Sequence, residues 1–127
     1  MPSIASSAIL SLKVSDSTPN VIGQCTFVLK SFNANTSMAT GTIAVSARQR
    51  NPSGLVNNRF TIIDCDLGDV GSGFGVTELR VSRNGSTVAA NKTFSFLYTG
   101  GPYQLCVSVA TVLRNGVTDQ SAGACTP

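Results

Sequence analysis

The chain has 127 residues, of which 42% are hydrophobic and only 12% are charged, and its formal net charge is +3. This length suits one domain with its own core, and no apolar run is long enough to cross a membrane as a helix. The chain has no histidine and no C-x-x-C pair, which argues against the ordinary catalytic triad and against a zinc site.

Short alternating segments rich in Ser, Thr and Val predict β-strands along most of the chain. The opening stretch SIASSAIL lacks the basic region and the long apolar region of a signal peptide, so no leader is expected. In chain order, strands are predicted at 7–14, 23–32, 41–50, 59–67, 76–81 and 88–98. Polar turns with Pro, Gly and Asn separate them, and the glycine-rich stretch GDVGSGFG, residues 68–75, is predicted to be a mobile loop.

The tail PYQLCVSVATVLRNGVTDQSAGACTP, residues 102–127, fits two patterns. Read with period two, its apolar residues line one face of a strand, and Asn115-Gly116 is a hairpin turn. Read with period 3.6, they form a helical stripe, and the same pair ends a helix. The β-branched residues favour the strand, but the pattern alone leaves both alternatives open.

The four cysteines, at positions 25, 65, 106 and 125, leave the redox compartment open. In the hairpin alternative, Cys106 and Cys125 lie directly opposite each other and can form a bridge. Cys25 and Cys65 would then pair by default. This alternative is a small secreted β-sandwich, similar to fibronectin type III or immunoglobulin-like modules, that acts as a binding module.

Asp64 and Asp66 are the best pair of carboxylates in the sequence. Their spacing on a predicted strand places them roughly 6–7 Å apart on one face, which is similar to the carboxylate pairs of glycosidases. A solvated strand end is the commoner meaning of such a pair. We therefore expect no enzymatic activity and no cofactor.

Taken together, the segments resemble the coat proteins of single-stranded RNA bacteriophages, the levivirus group. The resemblance lies in order and spacing: LKVSDSTPNVIGQCTFVLKSF, then GTIAVSARQR, a polar loop, NRFTI, a glycine-rich loop, GVTEL, TFSF, and an apolar segment that ends in NG. It implies an α+β fold with an N-terminal hairpin (1–32), a five-stranded antiparallel sheet (41–98) and a helical C-terminal segment (102–127). Helices are expected near 102–114 and 117–124, and two chains would intertwine into a dimer with a continuous ten-stranded sheet.

The function that the resemblance implies is structural. Dimers would assemble in the cytoplasm of a bacterial host into an icosahedral shell around the genomic RNA, and the maturation protein would be a further partner. In that family a coat dimer also binds an RNA stem-loop and represses translation. Residues implied to contact RNA, with Arg48 and Thr61 the strongest, are Thr42, Ser46, Arg48, Arg50, Arg59, Thr61, Thr87, Ala89 and Asn91.

The resemblance also bears on the loop 68–75 and on the cysteines. The loop would meet its copies at the symmetry axes of the shell, where glycines allow more than one conformation. Cys65, close to this loop, would bridge subunits after release from the reducing cytoplasm. Cys25 and Cys106 would be buried free thiols.

Overall fold

The computed structural model describes residues 11–49, 59–71, 73–84, 87–98, 102–113 and 115–126. These residues form eight β-strands. Their bounds are β1 Ser11–Ser17, β2 Val21–Asn33, β3 Met38–Gln49, β4 Arg59–Asp69, β5 Phe74–Asn84, β6 Thr87–Leu97, β7 Tyr103–Leu113 and β8 Thr118–Cys125.

The strands form two four-stranded antiparallel sheets. Sheet A has the order β1-β2-β3-β6, and sheet B has the order β5-β4-β7-β8. The chain crosses from one sheet to the other after β3, β5 and β6. This is the two-layer sandwich architecture that immunoglobulin-like and fibronectin type III modules share.

The core lies between the sheets and follows from the period-two pattern of the strands. Every second residue of β2 from Val21 to Leu29 is buried, and β3 and β7 repeat this alternation. Because successive side chains of a strand point to opposite faces, one apolar row per strand covers the core. The largest fully buried side chains come from both sheets: Phe27, Leu29, Ile43, Ile63, Leu67 and Leu105.

The two sheets pack closely together at Gly23 in β2. A Cβ atom at this position would lie 1.9 Å from Cγ1 of Val109 on β7. Any larger residue would collide with the opposite sheet, so the glycine is required by packing.

Two disulfides fasten the sandwich. Cys25 of β2 bonds to Cys65 of β4 across the core, with 5.9 Å between their Cα atoms. Cys106 and Cys125 bond within sheet B, where β7 and β8 pair them directly. The prediction of free thiols at Cys25 and Cys106, and of an intersubunit bridge through Cys65, is therefore wrong.

The α+β prediction is also wrong, because the described residues are almost entirely β-strands and contain no helix. The expected helices at 102–114 and 117–124 are the strands β7 and β8, joined by a turn in which Gly116 has φ = 86°. In β7, Leu105, Val107 and Val109 are buried on one face. The β-branched residues of this segment suit an extended chain, and the other sheet supplies the cover that the helices were expected to give.

The expected five-stranded sheet over 41–98 is divided between the layers. Strands β3 and β6 lie in sheet A, whereas β4 and β5 lie in sheet B. The N-terminal hairpin exists as β1 and β2, but β2 also pairs with β3 and so belongs to sheet A. Without the helices, the family's way of intertwining two chains is absent from the described residues. No helix in this part of the chain could cross a membrane.

Candidate functional site

The outward side of sheet A, which we call the threonine face, carries mainly small polar side chains. Cross-strand pairs join β3 to β6 there: the hydroxyls of Thr40 and Ser95 are 2.9 Å apart, and those of Thr42 and Thr93 are 3.0 Å apart. Small side chains in register produce an even surface, and paired hydroxyls hold one another in place.

Six of the nine residues expected to contact RNA meet on the threonine face. They lie on β3 and β6, where the strand register places them side by side: Thr42, Ser46, Arg48, Thr87, Ala89 and Asn91. Arg48 lies directly opposite Thr87, and Ser46 opposite Ala89. These four residues help to line a shallow depression of about 370 Å³.

The other three residues are not brought to this face. Thr61 is fully buried in the core and accepts a hydrogen bond of 2.8 Å from Nε2 of Gln49. Its neighbour Phe60 points outward instead. Arg59 opens β4, but its side chain and all of Arg50 lie outside the described residues.

The outward side of sheet B, the carboxylate face, groups three acidic side chains on β4 and β5. One carboxylate oxygen from each of Asp64, Asp66 and Glu78 lies within 4.8 Å of the other two. Oδ2 of Asp64 is 3.6 Å from Nη1 of Arg80, which is directly opposite in the register.

The two aspartates of this cluster hold protons more tightly than isolated carboxyl groups do. Burial raises the pKa of Asp64 to about 6, aided by repulsion from Asp66 and Glu78 and opposed by Arg80. Partial burial and Glu78 also raise the pKa of Asp66. Near neutral pH the cluster can exchange a proton, or bring oxygen ligands to a hard cation such as Ca²⁺. The hydroxyl groups of Ser108, directly opposite Asp64, and of Ser82, directly opposite Ile62, also point outward on this face.

A third surface lies at one end of the sandwich, where β4 and β5 form a tight hairpin. Oδ1 of Asp69 accepts a hydrogen bond of 2.9 Å from the amide of Gly71, and the carbonyl of Asp69 accepts one of 2.8 Å from Gly73. Gly73 has φ = 75°, a conformation that glycine adopts without strain. The expected mobile loop at 68–75 is thus a short turn with strand residues on both sides.

Apolar side chains of this hairpin and of the neighbouring strands are exposed to solvent at this end. We define the apolar end by its four exposed hydrophobic residues: Phe74 is 75% exposed, Leu97 59%, Val70 54% and Met38 40%. Phe74 and Leu97 line one groove of about 410 Å³. Met38 pairs directly with Leu97 on the neighbouring strand.

Buried aromatic rings support the apolar end from below. Phe96 and Tyr103 line the same groove and pack edge to face, with 5.9 Å between their ring centroids. Tyr98 stacks on Tyr103 at 5.3 Å. The exposed side chains therefore stand on a rigid base.

Sequence reasoning missed the apolar end. The signal was present in the triplet Gly73-Phe74-Gly75, since a large aromatic residue between glycines in a turn has little core to enter. Leu97 and Met38 carry no such signal, because they continue strands whose alternation looks ordinary.

No protein-family model matches the sequence, and no curated protein sequence matches it. Among solved structures, the fold is similar to that of a Bordetella pertussis protein described as ApaA, with a TM-score of 0.51 and 12% identity. The similarity covers 87% of this chain and 92% of the other. At this identity the likeness shows the β-sandwich fold alone.

Proposed function

We propose that this protein is a disulfide-bonded β-sandwich binding module that engages an apolar segment of a protein partner through its apolar end. The exposure of Phe74 carries the proposal. Large apolar side chains that share one groove mark interaction sites more often than isolated exposed ones do. Aromatic side chains on a rigid base are also the usual energetic centres of protein interfaces.

The two disulfides support an extracytoplasmic setting for such a module. Disulfides persist in oxidising compartments, and one of the two here spans the core. A scaffold fixed in this way can present a turn with little loss of entropy on binding.

The test is a selection of random peptides on the oxidised protein, followed by affinity measurements with two matched variants. Phe74→Ser removes the centre of the apolar end. Val117→Ser is the control, because Val117 is 56% exposed but belongs to the turn between β7 and β8. We expect selected peptides rich in aromatic and aliphatic residues, with Kd raised about tenfold or more by Phe74→Ser and unchanged by Val117→Ser.

Peptides that bind both variants equally would contradict the proposal. The coat-protein function remains a prediction, and the same preparation tests it by size-exclusion chromatography and the ratio of absorbance at 260 and 280 nm. Virus-sized particles that contain RNA would favour the capsid and overturn the binding module.

A further inference from the structure

The charged side chains of the two outward faces are separated by sign. Among the described residues, the threonine face carries Lys13 and Arg48 and no carboxylate. The carboxylate face carries three acidic side chains and Arg80 as its one described cation. The sandwich therefore has one basic layer surface and one acidic layer surface on opposite sides.

Both faces are also suited in shape to lie against another sheet. Between Lys13 and Asn91, the row across sheet A holds only Thr26 and Ala44. On sheet B, half-buried Ile62 adjoins Asp64 along the same side of β4. Flat sheet faces with small side chains can pack about 10 Å apart, as the sheets of a sandwich do.

We propose that copies of this protein stack head to tail, with the threonine face of one copy on the carboxylate face of the next. The occupant of each face is thus a second copy of this chain, chosen by charge complementarity. Each copy uses two different surfaces, so the contact is heterologous and can repeat along a stack. Phe74 lies at the tip of the β4–β5 hairpin, at the end of the sandwich and outside both faces, so the stack does not use it.

Contact between faces is favoured over contact between sheet edges. On the open side between β6 and β5, Nζ of Lys92 donates a hydrogen bond of 3.2 Å to Oγ1 of Thr77. Lys92 occupies an inward position of an edge strand, a placement that discourages pairing with the edge of another sheet.

The area of a face sets the strength of the contact. Four strands about 4.8 Å apart and mostly eleven to thirteen residues long give a face of roughly 600 Å². Two such faces together bury at most about 1,200 Å², the lower end of the range for stable interfaces, so the association is weak. Because charged pairs contribute to it, it weakens as salt shortens the Debye length to about 3 Å near 1 M.

Sedimentation velocity of the full, oxidised chain at increasing concentration tests the proposal. In low salt we expect weight-average mass to rise with concentration beyond the dimer, and to return to that of the monomer in high salt. Arg48→Glu alters only the threonine face, and Asp66→Lys only the carboxylate face. Each variant alone should stay monomeric.

A mixture of the two variants distinguishes the head-to-tail contact from its alternatives. The intact threonine face of Asp66→Lys can then meet the intact carboxylate face of Arg48→Glu, so the mixture should associate although neither variant does so alone. Arg83→Glu is the control, because exposed Arg83 lies on β5 outside both faces and its substitution gives the same charge change as Arg48→Glu. This control should associate as the original chain does.

Four results would overturn the proposal. A monomer at every concentration and salt would exclude the contact, and a mixture that stays monomeric would exclude its head-to-tail form. If Arg83→Glu lost self-association to the same extent as Arg48→Glu, overall charge, and not the faces, would control association. Binding of single-stranded RNA that Arg48→Glu abolishes, without self-association, would assign the threonine face to nucleic acid instead.

Discussion

At the residue scale, a side chain expected to bind a ligand holds the core together. Thr61 and Gln49 are both buried, and the threonine hydroxyl accepts the hydrogen bond of the glutamine amide. A buried polar group that loses its partner costs more than the hydrogen bond had contributed, because it cannot return to water. The role of Thr61 is therefore structural.

Thr61→Val should lower the free energy of unfolding by about 1–3 kcal/mol, because it leaves the amide of Gln49 without this acceptor. Urea denaturation monitored by circular dichroism measures the change. Thr42→Val, on the threonine face, is the matched control and should lower the free energy of unfolding by less. Equal costs for the two variants would contradict the structural role of Thr61.

The raised pKa of Asp64 makes stability depend on pH in a definite direction. Its pKa is 3.8 in an unfolded chain and about 6 in the fold. The folded state therefore binds the proton more tightly, and the free energy of unfolding falls as pH rises from about 4 to about 6. The expected fall is on the order of 2 kcal/mol.

Denaturation at a series of pH values in this window measures the effect, and Asp64→Asn should largely remove it. Arg80→Ala should raise the pKa of Asp64 further, because the neighbouring cation lowers it. An unchanged pH profile in Asp64→Asn would show that other groups cause the dependence.

At the element scale, the packing of β2 on β7 has no room for a side chain at Gly23. Gly23→Ala would place a methyl group 1.9 Å from Cγ1 of Val109. We expect a loss of about 1–3 kcal/mol in the free energy of unfolding, since β-branched Val109 has few other rotamers. Thermal unfolding followed by circular dichroism measures the loss.

Gly75→Ala is the control for this substitution, because nothing lies within 4 Å of a Cβ at Gly75. The double variant Gly23→Ala/Val109→Ala should recover part of the loss if the collision is the cause. No recovery would indicate that β2 moves as a whole instead.

At the scale of the whole molecule, the two disulfides differ in what they connect and in their exposure. The bridge between Cys25 and Cys65 is buried and closes a loop with a sequence separation of 40, whereas the bridge at Cys106 and exposed Cys125 closes one of 19. Loop-closure entropy predicts stabilisation of about 4 and about 3 kcal/mol, respectively.

Under native conditions a reductant should open the bridge at Cys106 and Cys125 first, because a thiolate can reach Cys125. Alkylation of the freed thiols followed by mass spectrometry shows the order in which the two bridges are reduced. Loss of the bridge between Cys25 and Cys65 should coincide with unfolding. If the bridge between Cys25 and Cys65 were reduced first, the core would be open to the reductant in the folded protein, contrary to this structure.

The sequence by itself determined most of the strands and, except in β4, the side of each that faces the core. Alternation predicted strands that agree closely with β2, β3, β4 and β6, and the symmetry of the cysteines about Asn115-Gly116 predicted the register of β7 on β8. Period two is a local property of an extended chain, so it can be read without knowledge of partners. The preference of the Asn115-Gly116 pair for a hairpin turn is equally local.

Only the tertiary structure decided which strands share a sheet. Alternation shows that a strand has one buried face, but it does not show whether a helix or a second sheet covers that face. The tail was therefore open to two interpretations until sheet A was seen to cover Leu105 and Val109 of β7. The apolar end also depends on long-range pairing, because Phe74 and Leu97 lie on different sheets and meet only where the layers come together.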